Sequence, residues 1–362
     1  MRARTVLACV GIALALALPG MDLWLPPAQR LAPLVPGIAA IALVALGLNV
    51  VTGYTGLLHL GVAGFMAIGA FAFAILTNDD YPFQVGFWPA LAGAAVIGGI
   101  AGAGLSLPIL RLRGDYLALV TLGFGEIVQD ALKNHDAITK GTQGINPLPG
   151  AALPFADTLA PAHPQWAAWM GGPVAVYYLY LALVALAALA CAHLRRGRVG
   201  RAWVAIREDE LAARAMGVDV ARAKLTALVF GSGLCAAGGA LWAARFGSSL
   251  DPGSYDFALS MAVLAVVIVG GIGSIPGVLV GAVVMAGFNQ VVLPWLSEWV
   301  QRHRQAGAGN VLTAPDNWKY LIFGLALVLM MRFRPQGIWP ARDADDAAPA
   351  APEPAATGTT PA

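Results

Sequence analysis

Long apolar runs alternate along this chain with short polar or Gly/Pro-rich interruptions. A bilayer core about 30 Å thick takes roughly 20 apolar residues per helical crossing. Ten stretches of that order lie at about 5–22, 32–51, 55–76, 88–109, 115–133, 174–194, 225–244, 257–273, 275–294 and 318–333. The pattern predicts an all-α, polytopic integral membrane protein with about ten transmembrane helices. The boundaries at Gly53–Gly56 and Gly270–Gly277 are soft, because Gly-rich sequence at membrane depth also marks broken or re-entrant helices.

The interruptions differ in kind. Residues 134–173 carry Pro147, Pro149, Pro154, Pro161, Pro164 and Pro173 and predict an extended, partly ordered loop, with Trp166 and Trp169 at the membrane interface. Residues 295–317 form a shorter polar segment. After Pro340 the chain reads ARDADDAAPAAPEPAATGTTPA, which lacks large apolar residues and predicts a disordered tail over 341–362 behind a permeation domain spanning 1–340. At the other end, Arg2 and Arg4 ahead of an apolar run resemble a secretory leader, but the many later spans favour a retained first helix.

The longest polar interruption is GRAWVAIREDELAARAMGVDVARAK, Gly200–Lys224. Asp209 and Glu210 open a short helix, Arg214 follows Glu210 by four residues, and Gly217 offers an exit, so about two turns are specified. Trp203 and Ile206 precede it, and Asp219 is placed to cap the next membrane helix. A connector between two spans needs few residues; this one is far longer and is expected to expose Trp203 and Ile206, which argues for a partner surface.

Composition and charge sharpen the picture. Hydrophobic residues make up 58% and charged residues 12% of the chain, with a mean hydropathy of +0.70. A net charge of +2 gives no reason to expect nucleic acid, whereas its distribution orients the chain. With the N-terminus inside, fifteen of the 22 Lys and Arg residues fall on the cytoplasmic side, including the eight of 195–224. Both termini and the 195–224 loop are therefore expected in the cytoplasm, and 134–173 outside.

Several chemistries find no support. Cys9, Cys191 and Cys235 sit in apolar runs without metal-ligand spacing and read as buried hydrophobes, so neither a metal nor a disulfide is expected. No hydrolase or metalloprotease motif appears, no catalytic residue is assigned, and no cofactor is implied. There is no G-x-x-x-x-G-K-[ST] phosphate loop, so energy for any active process comes from a partner or an ion gradient. Gly53, Gly56, Gly64 and Phe71 align with Gly270, Gly273, Gly281 and Phe288 at constant offset, which duplication and small-residue helix packing explain equally well.

Polar residues at membrane depth are candidates for a path, because leaving them in lipid is costly. Glu126, Gln129 and Asp130 share a face of the fifth span; Glu126 is the path candidate, and the other two are expected at the interface. Asn49 and His59 flank the Gly53–Gly56 break, where unpaired backbone in a broken helix suits a passing zwitterion. For each, a helix-end or helix-packing role competes. A self-contained secondary transporter or channel would want more buried charge than this.

Four ordered blocks carry a family resemblance: GLNVVTGYTGLLHLGVAGFMAIGAF (47–71), LRLRGDYLALVTLGFGEIVQ (110–129), the 200–243 segment, and LAVVIVGGIGSIPGVLVGAVV (264–284). They resemble the LivM-type permeases of branched-chain amino acid ABC transporters, and ITKGTQGI (138–145) is similar to a Thr/Gly-rich motif of the same family. The resemblance implies a type II-like importer permease that pairs with a LivH-like permease, two LivG/LivF-like ATPases and a periplasmic amino-acid-binding protein. It also implies that Arg207, Glu208, Asp209, Glu210, Ala213 and Gly217 form the coupling helix that meets the ATPase. Urea and short-amide permeases share these motifs, so the solute is left open.

Overall fold

The computed structural model describes residues 30–109, 115–146, 150–151, 172–246, 250–303 and 318–340, with scattered positions between 11 and 22. Arg2, Arg4, Cys9, Arg111, Arg113, Trp166, Trp169 and the 341–362 tail lie outside the described residues. Among the described residues the fold is all helical, apart from one antiparallel bridge between Ile145 and Leu250.

The centre is α1 (Val35–Leu48), entered through a 3-10 turn at Ala32–Leu34 and continued by a π-helical segment, Asn49–Tyr54. It is apolar all round and buried on nearly every position, as expected of a helix wrapped by neighbours. The chain continues through α2 (Val62–Thr77), α3 (Phe87–Ile109), α4 (Asp115–Asn134), α5 (Pro173–Arg196) and α8 (Val220–Phe246), of which α8 and α5 pack most closely on α1. Between α5 and α8 sit two short polar helices, α6 (Arg198–Glu208) and α7 (Glu210–Ala215). The chain ends with α9 (Phe257–Gly270), α10 (Ile275–Gly287), a π-helical Phe288–Val292, α11 (Leu293–His303) and α12 (Lys319–Phe333).

Local signals explain where these elements start. Pro173 opens α5, and His193, Arg195 and Arg196 sit in its last turn, where cations suit the helix dipole. Asp219 accepts the Arg222 N–H at 3.0 Å at the head of α8, Asp256 accepts Leu259 N–H at 2.9 Å on α9, and Ser274 accepts Gly277 N–H at 3.2 Å on α10. α8 is the packing hub against α1, α2 and α3. It works through backbone proximity: a Cβ added to Gly69 would lie 2.0 Å from the Ala236 carbonyl oxygen.

Ala32–Tyr54, Phe87–Pro108, Pro173–Arg196, Val220–Arg245 and Ile275–Glu298 are long and apolar enough to cross a bilayer, and Val62–Thr77, Phe257–Gly270 and Leu321–Phe333 are shorter apolar helices. Three expectations are corrected. The span placed at 55–76 becomes helical only at Val62, because residues 56–61 leave the helix after Gly56, whose φ is +73°. The span placed at 257–273 stops at Gly270, where Gly271 and Gly273 take φ of +127° and +82°. The segment read as a polar loop from 295 is helical to His303. α4 has the length of a span, but Glu126, Asp130 and Lys133 keep it from being apolar enough.

Candidate functional site

α6 packs against α5, α8 and the π-helical end of α1. Its 3.6-residue period puts Trp203 and Ile206 on one face, and both are buried, which corrects the expectation that they are exposed. Trp203 stacks on Tyr54 with ring centroids 6.3 Å apart and donates its indole N–H to Ala223 O at 2.9 Å. The Arg195 guanidinium lies 5.6 Å from the Tyr54 ring centre. The surplus length of the polar segment is thus partly consumed in covering the ends of α1 and α8.

Arg207 is exposed overall, but one end of it reaches the first helix break. Its Nη1 donates to the Gly53 carbonyl at 2.7 Å, where the π-helical end of α1 has carbonyls without helical partners. The buried Asn49 side chain accepts the Gly273 N–H at 2.8 Å, so the first helix break touches the second. A Cβ on Gly53 would come within 2.8 Å of the Gly273 nitrogen. Gly56 and Gly273, a pair in the repeat alignment, share a left-handed backbone. Ile338 and Trp339 donate their N–H groups to Val269 and Gly270 at 2.9 and 3.0 Å, capping the free carbonyls of α9 from the segment after α12.

α7 is a short, firmly terminated helix. Asp209 accepts from Leu211 and Ala212 N–H at 2.7 and 3.0 Å. At the exit, Gly217 N–H bonds Arg214 O and Val218 N–H bonds Ala213 O, both at 3.0 Å, with Gly217 at φ +83°. Glu210 pairs with Arg214 at 3.4 Å and with the buried Lys224 of α8 at 2.8 Å. The six residues grouped as a coupling surface therefore separate. Glu208, Asp209 and Gly217 are exposed, Ala213 is buried, Glu210 braces α7 on α8, and Arg207 turns toward the break. Leu211 and Met216, 66% and 85% exposed, are the apolar groups this helix presents, and charge-based reading passed over them.

Beyond the first break, Leu60 N–H donates to Thr121 Oγ1 at 3.0 Å, and Gly61 and Gly64 lie against Thr121 and Gly125 of α4. His59 is buried with its ring 5.4 Å from Phe65 and its Nδ1 unpaired. α2 therefore begins beside the middle of α4, inside the bundle. There Ala63 N–H donates to Ser260 Oγ of α9 at 2.9 Å. Glu126 lines a cleft at this junction with Leu60, Tyr255 and Ser260, so Asn49, His59 and Glu126 do not share one site. Gln129, expected at the interface, is buried and donates to Pro252 O at 3.2 Å, while Asp130 is exposed.

At the far end of α4, the 138–145 motif closes the bundle. Tyr81 Oη donates to Ile138 O at 2.6 Å, and Lys140 pairs with Asp80, which holds its ammonium above the ordinary lysine range. Cys191 and Cys235 are buried and free, and among the described residues no metal-binding cluster forms.

The model of a family described as the branched-chain amino acid transport system permease component matches residues 35–331. The chain is 38% identical over 311 residues to the high-affinity branched-chain amino acid transport system permease protein LivM of Escherichia coli K12, covering 82% of this chain and 67% of that one. This chain belongs to the branched-chain amino acid permease family. It is also 26% identical over 258 residues to LivH of Escherichia coli K12, across 67% of this chain and 79% of the relative. The autoinducer 2 import system permease LsrC of Enterobacter sp. strain 638 is 28% identical over 280 residues, 75% of this chain and 74% of its own. No solved structure matches.

In this permease the four blocks of the resemblance fold against one another. Block 47–71 holds the π-helical end of α1, the break and α2; 110–129 holds most of α4; 200–243 runs through α6, α7 and α8; and 264–284 holds the second break. Arg207, Asn49 and Thr121 join the first block to each of the other three.

Proposed function

We propose that this permease is one half of an ATP-driven importer for branched-chain amino acids in a bacterial inner membrane. Its partner is a LivH-like permease, two LivG/LivF-like ATPases bind on the cytoplasmic side, and a periplasmic binding protein delivers the solute. Both termini and the 195–224 loop are cytoplasmic, by the distribution of Lys and Arg. The solute and the permease pair are supported by the similarity to LivM and LivH of Escherichia coli K12. The missing phosphate loop supports separate ATPase subunits.

The observation that carries the coupling role is the union of an exposed apolar tip with a buried tether. Leu211 and Met216 on α7 offer a partner an apolar grip, with Glu208 and Asp209 beside them. Ala213 and the Glu210–Lys224 pair seat the helix, Gly217 ends it, and Arg207 connects it to the break in α1. A force on α7 then reaches Gly53 through one side chain. Asn49, His59 and Glu126 flank the route from that break to the cleft on α4, whose polarity suits an aqueous face better than lipid.

The test is co-purification of both ATPases from membranes expressing the four subunits, followed by uptake in proteoliposomes. Wild-type chain should retain both ATPases and accumulate leucine with ATP, whereas Leu211→Asp/Met216→Asp should lose them while remaining folded. ATPase retention by the double variant would rule out this docking surface. Accumulation of urea or acetamide in place of leucine would reassign the solute.

A further inference from the structure

The corner between α5 and α6 concentrates positive charge. Arg195, Arg196, Arg198 and Arg201 fall within seven residues, and no Asp or Glu occurs in the chain between Asp157 and Glu208. Arg195 is taken up on the Tyr54 ring. Arg196, Arg198 and Arg201 are exposed and make no ion pair among the described residues.

Glycines make the corner tight. Gly197 ends α5 in extended backbone, and a Cβ added to Gly200 would lie 2.3 Å from the Arg195 carbonyl oxygen, so α6 turns back on the last turn of α5. Arg201 thereby reaches the end of α5, where its Nη1 donates to Arg196 O at 3.0 Å. The carbonyl end of a helix carries only about half a negative charge, too little to balance three guanidiniums. Below them the same helix is apolar. Leu186, Leu189, His193 and Arg196 share one face of α5 at three- and four-residue spacing. The two leucines are 64% and 68% exposed, so this face is apolar along the span and basic at its end.

We infer that this corner binds an anionic phospholipid. The headgroup phosphate sits among Arg196, Arg198 and Arg201, whose planar guanidiniums match its oxygens, and an acyl chain lies along Leu189 and Leu186. The order of the surface decides the occupant. A soluble protein or a free phosphate would answer the arginines and leave the leucine stripe uncovered, whereas a phospholipid carries charge and chain in the same sequence as this face. The inference goes beyond the transport reading and needs only that the chain is embedded in a bilayer.

The experiment separates this site from general charge attraction. Purified full-length chain in detergent is titrated with dioleoylphosphatidylglycerol and with dioleoylphosphatidylcholine, and bound lipid is counted by native mass spectrometry. Wild-type chain should prefer phosphatidylglycerol about tenfold, and Arg196→Gln/Arg198→Gln/Arg201→Gln should cut the preference below about twofold. Arg222→Gln/Arg332→Gln/Arg334→Gln removes the same charge elsewhere and should keep it. Glycerol 1-phosphate, which has the headgroup chemistry without the chains, should leave the lipid bound. Absence of a preference in wild type, or equal loss in the two triple variants, would overturn the site. Displacement by glycerol 1-phosphate would make it a small-anion site instead. A corner variant that keeps its lipid preference but no longer co-purifies with the ATPases would assign these arginines to a protein partner and remove the lipid.

Discussion

Arg207 shows how much one side chain can carry. It leaves α6 on the exposed side of the fold, yet its guanidinium ends on the Gly53 carbonyl, with Asn49 and Gly273 on the next contact inward. A charged donor on a carbonyl left over at a helix end is worth roughly 1.5–3 kcal/mol. Arg207→Ala should therefore leave the chain folded and the ATPases bound, while leucine uptake per ATP hydrolysed falls about tenfold. Parallel uptake and phosphate-release measurements on proteoliposomes check this; a proportional fall in both would mean the arginine serves assembly and not transmission. Arg207→Lys should recover little, because a lysine ammonium lacks the planar fork that lets Arg207 reach and hold this oxygen.

At the scale of elements, α7 depends on a pair that no charge pattern within a single helix discloses. Glu210 was legible as an i,i+4 partner of Arg214, but its shorter contact is to Lys224, which is 5% exposed on α8. Removing the acid alone strands a buried ammonium, whereas removing both leaves an apolar contact. Glu210→Ala should lower the midpoint of thermal unfolding, and Glu210→Ala/Lys224→Met should restore most of the loss; a double variant as unstable as the single one would mean the pair is not the brace. The same contrast explains what could be read in advance. Asp209 and Gly217 announce the ends of α7 through nearest-neighbour chemistry, and the structure keeps both roles. Trp203 was misplaced because helical period identifies a face without saying what covers it, and its cover, Tyr54 and Ala223, comes from other segments. Glu126 stood out as an ionisable group at membrane depth, while Tyr255 and Ser260 join it only through tertiary contacts, Ser260 lying 197 residues from Ala63.

For the whole molecule, the short helices α2 and α9 matter more than the long spans. At about 1.5 Å per residue, their 16 and 14 residues extend roughly 24 and 21 Å, less than a bilayer core, so both leave backbone outside regular helix. Such backbone is tolerated only inside protein or beside water, and here it is held by single side-chain hydrogen bonds: Arg207 donates to the Gly53 carbonyl, Thr121 Oγ1 accepts the Leu60 N–H, and Ser260 Oγ accepts the Ala63 N–H. α8, by contrast, is locked to three helices by close backbone contact and is the frame against which these pieces can move. Stability should then be uneven, with the segment from Gly53 to Gly61 opening well before α8. Hydrogen exchange on the intact chain in nanodiscs should show faster exchange at 53–61 than across α8. Arg207→Ala should speed exchange at 53–61 further and leave α8 unchanged. Equal protection of the two segments, or an Arg207→Ala effect spread over α8, would mean that the break is a rigid part of the frame and that motion reaches the cleft by another route.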